Sequence, residues 1–383
     1  MPRSGARRPE AIEPSMDLLH ALGWYCNQVI GLERLFRHVT VKRRRNLAHP
    51  VKRRRSAFRD PMICCDFLAM AWLGAARLSF IEPFLSRRSH LADSLYLPRF
   101  CDHTTAHNFL NAFHVTHLRQ LDEANERLLR EHGSALCQAA PVLDIDVAER
   151  RVRHPGRRAS TVYRWAVAFS ASEALAQELR VNSSDWTPVV CGALAAARAA
   201  LAAKPRLVRL VSAAATPAVL RELARARIHF LTTASWQAAL ACQQPPLEGG
   251  QWAELPDSTR VLDLGSMATT AGPRSQQRVV LVQRPAVAPG LPPARSAIVT
   301  SLLNAPAPAL PRLAASLCRI RPFFGHDRWP LGDGKLPSSR LRGNAAYLRL
   351  ATIAMNILRL FARQLGGEWT PSRVQAQLRA IAT

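Results

Sequence analysis

Lysine is almost absent from this chain: Lys42, Lys52, Lys204 and Lys335 are the only four in 383 residues. Carboxylates are scarce too, 27 Asp plus Glu against 52 Lys plus Arg, which leaves a formal charge of +25. An excess of that size goes beyond what solubility needs and implies a polyanionic partner, because arginine forks match phosphate oxygens in pairs. GC-rich coding explains the preference for arginine over lysine, but not the shortage of acids. The eight cysteines, at 26, 64, 65, 101, 137, 191, 242 and 318, form no CxxC pair. That excludes a zinc ribbon and indicates no disulfide framework, so they read as small core residues in a reducing cytosol. There is no apolar signal core at the N-terminus, and the longest apolar runs are broken by Asp66 or by arginines such as Arg198. Neither a secretion signal nor a membrane span is therefore expected.

What is present is a globular composition, 48% hydrophobic, long enough for two or three domains. Residues 1–138 read as mostly helical and basic. In "SMDLLHALGWYCNQVIGLERLFRHV" apolar residues recur at helical spacing behind Ser15. "VKRRRNLAHPVKRRR" follows, with Pro50 forbidding one continuous helix, so that Arg43, Arg44, Arg45 and Arg53, Arg54, Arg55 flank a loop. These six arginines are the candidate phosphate contacts. "DPMICCDFLAMAWLGAARLSFIEPFLSRR" predicts a buried helix with Pro61 in its first turn, ending before Pro83, and "HTTAHNFLNAFHVTHLRQLDEANERLLREHG" predicts one long amphipathic helix ending at Gly133.

From residue 139 the pattern changes to α/β. "VLDIDV" and "STVYRWAVAFSA" read as two strands, and "WTPVVCGALAAARAALAAK" as a helix leading into the strand and helix of "RLVRLVSAAATPAVLREL". Residues 236–295 are Pro-, Gln- and Gly-rich with short β-like pieces, "RVLDLGS" and "QQRVVLVQRP". "SAIVTSLLN" is a further strand, "NAAYLRLATIAMNILRLFARQLGG" a strong helix stopped by its glycines, and 366–383 a short tail.

Asp144 and Asp146 lie two residues apart, so they share one face of a strand, and buried paired acids are costly unless a cation or base partners them. In order and spacing, "VLDIDVAERRVRHPGR", "VRLVSAAATPAVLRELARARIHFLT", "AIVTSLLN" and "KLPSSRLRGNAAYLRLATIAMNILRLF" resemble the bacterial insertion-sequence DDE transposases, in particular the group with a β-rich insertion in an RNase H-like core. The resemblance covers about 140–365. It implies an RNase H-like core over 139–365, with the insertion at about 236–295, preceded by a helical DNA-binding region. It also implies double-stranded transposon-end DNA as partner, a homodimer as a candidate assembly, and a cytoplasmic, nucleoid-associated location. In that family three carboxylates hold two Mg²⁺ or Mn²⁺ ions about 4 Å apart, which activate the attacking oxygen and stabilise the leaving one in DNA strand cleavage and transfer.

Matched residue by residue, the first acid falls on Asp146, with Asp144 beside it, and Ala148 stands where a threonine is usual. The second falls on Val211, and no shift of the alignment rescues it, since 186–221 contain neither Asp nor Glu. The third falls near Arg321, in a segment broken by Pro322, Gly325 and Pro330, with Asp327 the nearest replacement. Three readings follow: a DNA-end-binding protein with impaired cleavage, a non-enzymatic DNA-binding or regulatory derivative, or an active enzyme using Asp144, Asp146 and Asp327 in a changed geometry. The histidines at 103, 107, 114 and 117 read as surface or groove residues rather than a zinc set. Trp165 and Trp329 read as core anchors in preference to base contacts.

Overall fold

The structure is a computed structural model, and it describes residues 16–41, 58–75, 77–139, 141–152, 160–183, 185–201, 203–234, 251–268, 276–286, 288, 291–315 and 336–382. It is mixed α/β, as expected. It divides into two compact units, Met1–Ala124 with Pro330–Thr383, and Asn125–Trp329. The sequence reading assigned 330–365 to the α/β core. The structure instead packs helix Leu341–Leu365 within the helical unit.

The physical reason lies in that helix's long apolar stretch from Ala345 to Ala362, most of which is buried and must be enclosed by other helices. It lies against helix Asp60–Leu73, where the indole Nε1 of Trp72 donates to the carbonyl of Ala354 (2.9 Å) and Phe67 meets Tyr347 edge-on at 6.1 Å. Leu341–Leu365 is also long and apolar enough to cross a membrane, yet 89% of its apolar window is buried within the fold. At its start, Asn344 Oδ1 accepts from the Ser338 amide (2.9 Å) and its Nδ2 donates to the Ser338 carbonyl (2.8 Å).

Two helix expectations need correction. The Asp60–Leu73 helix has its proline in the first turn but ends at Gly74, whose φ of 78° lies in the left-handed region that favours glycine; short 3₁₀ and π turns, Leu78–Phe80 and Ile81–Ser86, follow. The long amphipathic helix is two, His103–Asn111 and Val115–His132, because the His114 amide donates to the His117 ring instead of continuing the first helix.

The α/β unit is built on one nine-stranded sheet: β1 (Val142–Val152), β2 (Thr161–Ser170), β3 (Glu173–Val181), β4 (Leu207–Leu210), β5 (His229–Ala234), β6 (Ala253–Glu254), β7 (Arg260–Ala268), β8 (Gln276–Arg284) and β9 (Ala294–Thr300). The order across it is β3-β2-β1-β4-β5-β9-β8-β7-β6. Strands β1, β4 and β5 are parallel, and every other neighbouring pair is antiparallel. Helices Thr187–Ala200 and Pro217–Arg225 connect β3 to β4 and β4 to β5. Alternation along the strands makes two faces. Leu143, Ile145, Val208, Leu210 and Phe230 pack with Val189, Val190, Ala193, Leu194 and Ala197 of the first connecting helix. On the opposite face Leu207 and Leu231 pack with Leu310 and Ala314 of helix Leu310–Ala315. Strand β3 was not expected, since "EALAQELRV" is rich in helix formers. It pairs along β2 through a tight turn whose Ala171 and Ser172 both take positive φ, 47° and 74°.

Candidate active site

Asp144 and Asp146 lie on β1, on the face away from the first connecting helix. The parallel register sets Asp144 opposite Arg209 of β4. Two neighbouring strands thus bring a carboxylate and a guanidinium side by side in a nearly dry layer. Arg209 Nε donates to Asp144 Oδ1 (2.5 Å), Nη2 to Oδ2 (2.6 Å), and Nη1 to the Leu313 carbonyl (2.9 Å). Only 5% of the Asp144 side chain and 12% of that of Arg209 is exposed. Burial pushes the Asp144 carboxyl above the ordinary carboxylate range, and the charge and hydrogen bonds of Arg209 pull it back. Asp144 was expected as a metal ligand, but both of its oxygens are held by arginine, which does a cation's electrostatic work without open coordination positions.

Asp146 is also buried, 7% exposed, and its Oδ1 accepts from the Val147 amide at 2.8 Å. Val167 is its register partner on β2. On the other side Val211 directly follows β4, and its amide donates to the Ile145 carbonyl (3.3 Å), which sets it next to Asp146 across the strands. Val211 is half-buried against the core and leads into the 3₁₀ turn Ser212–Ala214. The residue beside Asp146 on the neighbouring chain segment therefore carries no oxygen ligand, and its side chain packs against the helix-side core. Among the described residues no group of three or more His, Cys, Asp or Glu could hold a metal. The donors around Asp146 among the described residues do not make up a two-metal set.

Asp327 and Arg321 lie outside the described residues, as do Arg43, Arg44, Arg45, Arg53, Arg54, Arg55 and Trp329. Trp165 is a core residue, 2% exposed, with Nε1 donating to Gln177 Oε1 at 3.0 Å. The four histidines do not converge on one point. Asp102 caps the helix by accepting from the Thr105 amide (2.7 Å), and His103 Nδ1 contacts Glu82 (2.7 Å). His114 lies 3.2 Å from an Arg342 nitrogen. His117 corrects the surface reading, being buried edge-on against Phe113 at 5.9 Å.

Sequence reasoning missed the role of Arg209, although a cation inside the apolar run "LVRLV" called for a buried anion across the sheet. It also missed Asp66, 2% exposed inside helix Asp60–Leu73. Its Oδ2 accepts from the Cys101 amide at 3.0 Å while Oδ1 has no hydrogen-bond partner among the described residues. Burial pushes its carboxyl up to about 7. No family model matches the chain, and no curated protein matches it.

Proposed function

We propose that this chain is a transposase-like DNA-binding protein with an RNase H-like core whose metal-dependent strand cleavage has been lost. The strand order β3-β2-β1-β4-β5, with β2 alone antiparallel to the other four, supports the RNase H-like reading. The insertion reading is supported by β6, β7 and β8, which extend the same sheet beyond β9. The formal charge of +25 supports a phosphate-rich partner. The observation that carries the loss of chemistry is the neighbourhood of Asp146: Val211 beside it, and Asp144 two residues away locked to Arg209. A ligand removed and a ligand neutralised leave a site that cannot balance two divalent charges. This favours a binding protein over an enzyme with relocated acids.

The test is a pair of assays on the full chain. Binding to a labelled DNA duplex is expected to weaken linearly in log K against log salt, with a slope that counts phosphate contacts. Supercoiled plasmid incubated with Mg²⁺ or Mn²⁺ is expected to stay un-nicked. Mn²⁺-dependent nicking that Asp146→Asn abolishes would overturn the loss of chemistry. Absence of binding to any duplex at low salt would overturn the DNA-binding reading itself.

A further inference from the structure

The helical unit carries a row of alternating function on its surface. The guanidinium of Arg77 lies over the ring of Phe80 (5.8 Å to the centroid), Phe80 stacks on Phe84 (6.2 Å, 27° between planes), and the guanidinium of Arg88 lies over Phe84 (5.5 Å). The spacing is helical, three then four then four residues, and runs through the 3₁₀ and π turns Leu78–Phe80 and Ile81–Ser86. The row is surface-facing: Arg77 is exposed, Phe80 is 37% exposed, and Phe84 and Arg88 are half-buried. Ile81 and Leu85 of the same segment are buried, so the backbone is anchored beneath the row. Glu82, the one carboxylate between residues 77 and 92, is engaged by His103 at 2.7 Å, while Arg87 adds a third, exposed cation.

Ring faces under the guanidiniums limit where two long, flexible side chains can lie, which lowers the entropy lost when they engage a partner. The local charge is positive, the whole chain is strongly so, and an arginine edge suits phosphate oxygens. We infer that the Arg77–Phe80–Phe84–Arg88 row is a preorganised contact for the phosphate backbone of duplex DNA, with the two phenylalanines acting as platforms for the arginines. The inference rests on the DNA-binding reading and assigns it a surface among the described residues.

Binding of a fluorescent random-sequence duplex is measured by anisotropy across a salt series for the full chain and three double variants. Arg77→Gln/Arg88→Gln removes two phosphate contacts and is expected to reduce the salt slope by roughly 1.8. Phe80→Leu/Phe84→Leu keeps every charge and is expected to weaken binding about fivefold with the slope retained, from loss of two exposed cation–π contacts. Arg77→Lys/Arg88→Lys, with charge kept and the flat guanidinium lost, is expected to match the leucine variant. If the unaltered chain binds and all three variants bind like it, this inference falls and the DNA-binding reading stands. If the unaltered chain binds no duplex, both fall. Should it prefer anionic phosphatidylglycerol vesicles, with the variants weakening only that association, the row belongs to a lipid surface and the inference is overturned.

Discussion

Replacing Arg209 with alanine tests the claim that this guanidinium stands in for a metal ion. The substitution removes three hydrogen bonds at once, two to Asp144 and one to the Leu313 carbonyl, and leaves a carboxylate whose side chain is 5% exposed without its cation. Breaking one side of such a buried pair costs about 3–5 kcal/mol, mostly from the stranded charge. Arg209→Lys keeps a positive charge but cannot fork across both oxygens and also reach Leu313, so about half that loss is expected. Asp144→Leu/Arg209→Met removes both charges and is expected to lie within about 2 kcal/mol of the unaltered chain, because buried pairs seldom outweigh well-packed apolar residues. The assay is urea unfolding followed by tryptophan fluorescence, comparing midpoints at an unchanged slope. A loss below about 1 kcal/mol for Arg209→Ala would refute the reasoning, since it would mean that Asp144 reaches water or another cation.

Two further outcomes are expected. Val211→Asp places a second carboxylate beside Asp146, so Mn²⁺ should raise the melting temperature of this variant and leave that of the unaltered chain unchanged; an equal response from both would show that the site already binds the ion. For Asp66, burial raises the folded-state pKa from its ordinary 3.8 to about 7, so the stability associated with its protonated form is fully present below pH 3.8 and is lost as pH rises through 7. Asp66→Asn should flatten that part of the pH profile, with a difference from the unaltered chain of up to about 4 kcal/mol between pH 4 and 8, read from melts across that range; parallel profiles would place the titration elsewhere.

Much of the α/β unit was legible because its signals are local. The run "VLDIDV" alternates, "RLVRLV" is short, apolar and followed by a proline-started helix, and "RVLDLGS" and "QQRVVLVQRP" became β7 and β8. Strand β3 was not legible: its residues favour a helix, and the turn before it uses Ala171 and Ser172 where asparagine or glycine would have marked a hairpin. Pairing along β2 overrides that preference. The neighbours of Asp146 were half legible. That Val211 brings no carboxylate could be read from a stretch without acids, while the grip of Arg209 on Asp144 depends on register between strands 65 residues apart and could not. The place of helix Leu341–Leu365 was hidden for a related reason, since a long apolar stretch says that a helix is enclosed but not by which neighbours.

The outer limit of the sheet at β6 has one more implication. A strand of only two residues, Ala253 and Glu254, terminates that side of a nine-stranded array, and both side chains are exposed. The stub pairs with β7 only at Arg260 and Val261, and its exposed glutamate adds a desolvation toll for any chain that tried to pair there. Where the widened sheet is shortest, a charged two-residue strand thus discourages one molecule from stacking ribbon-like on the next at Arg260 and Val261.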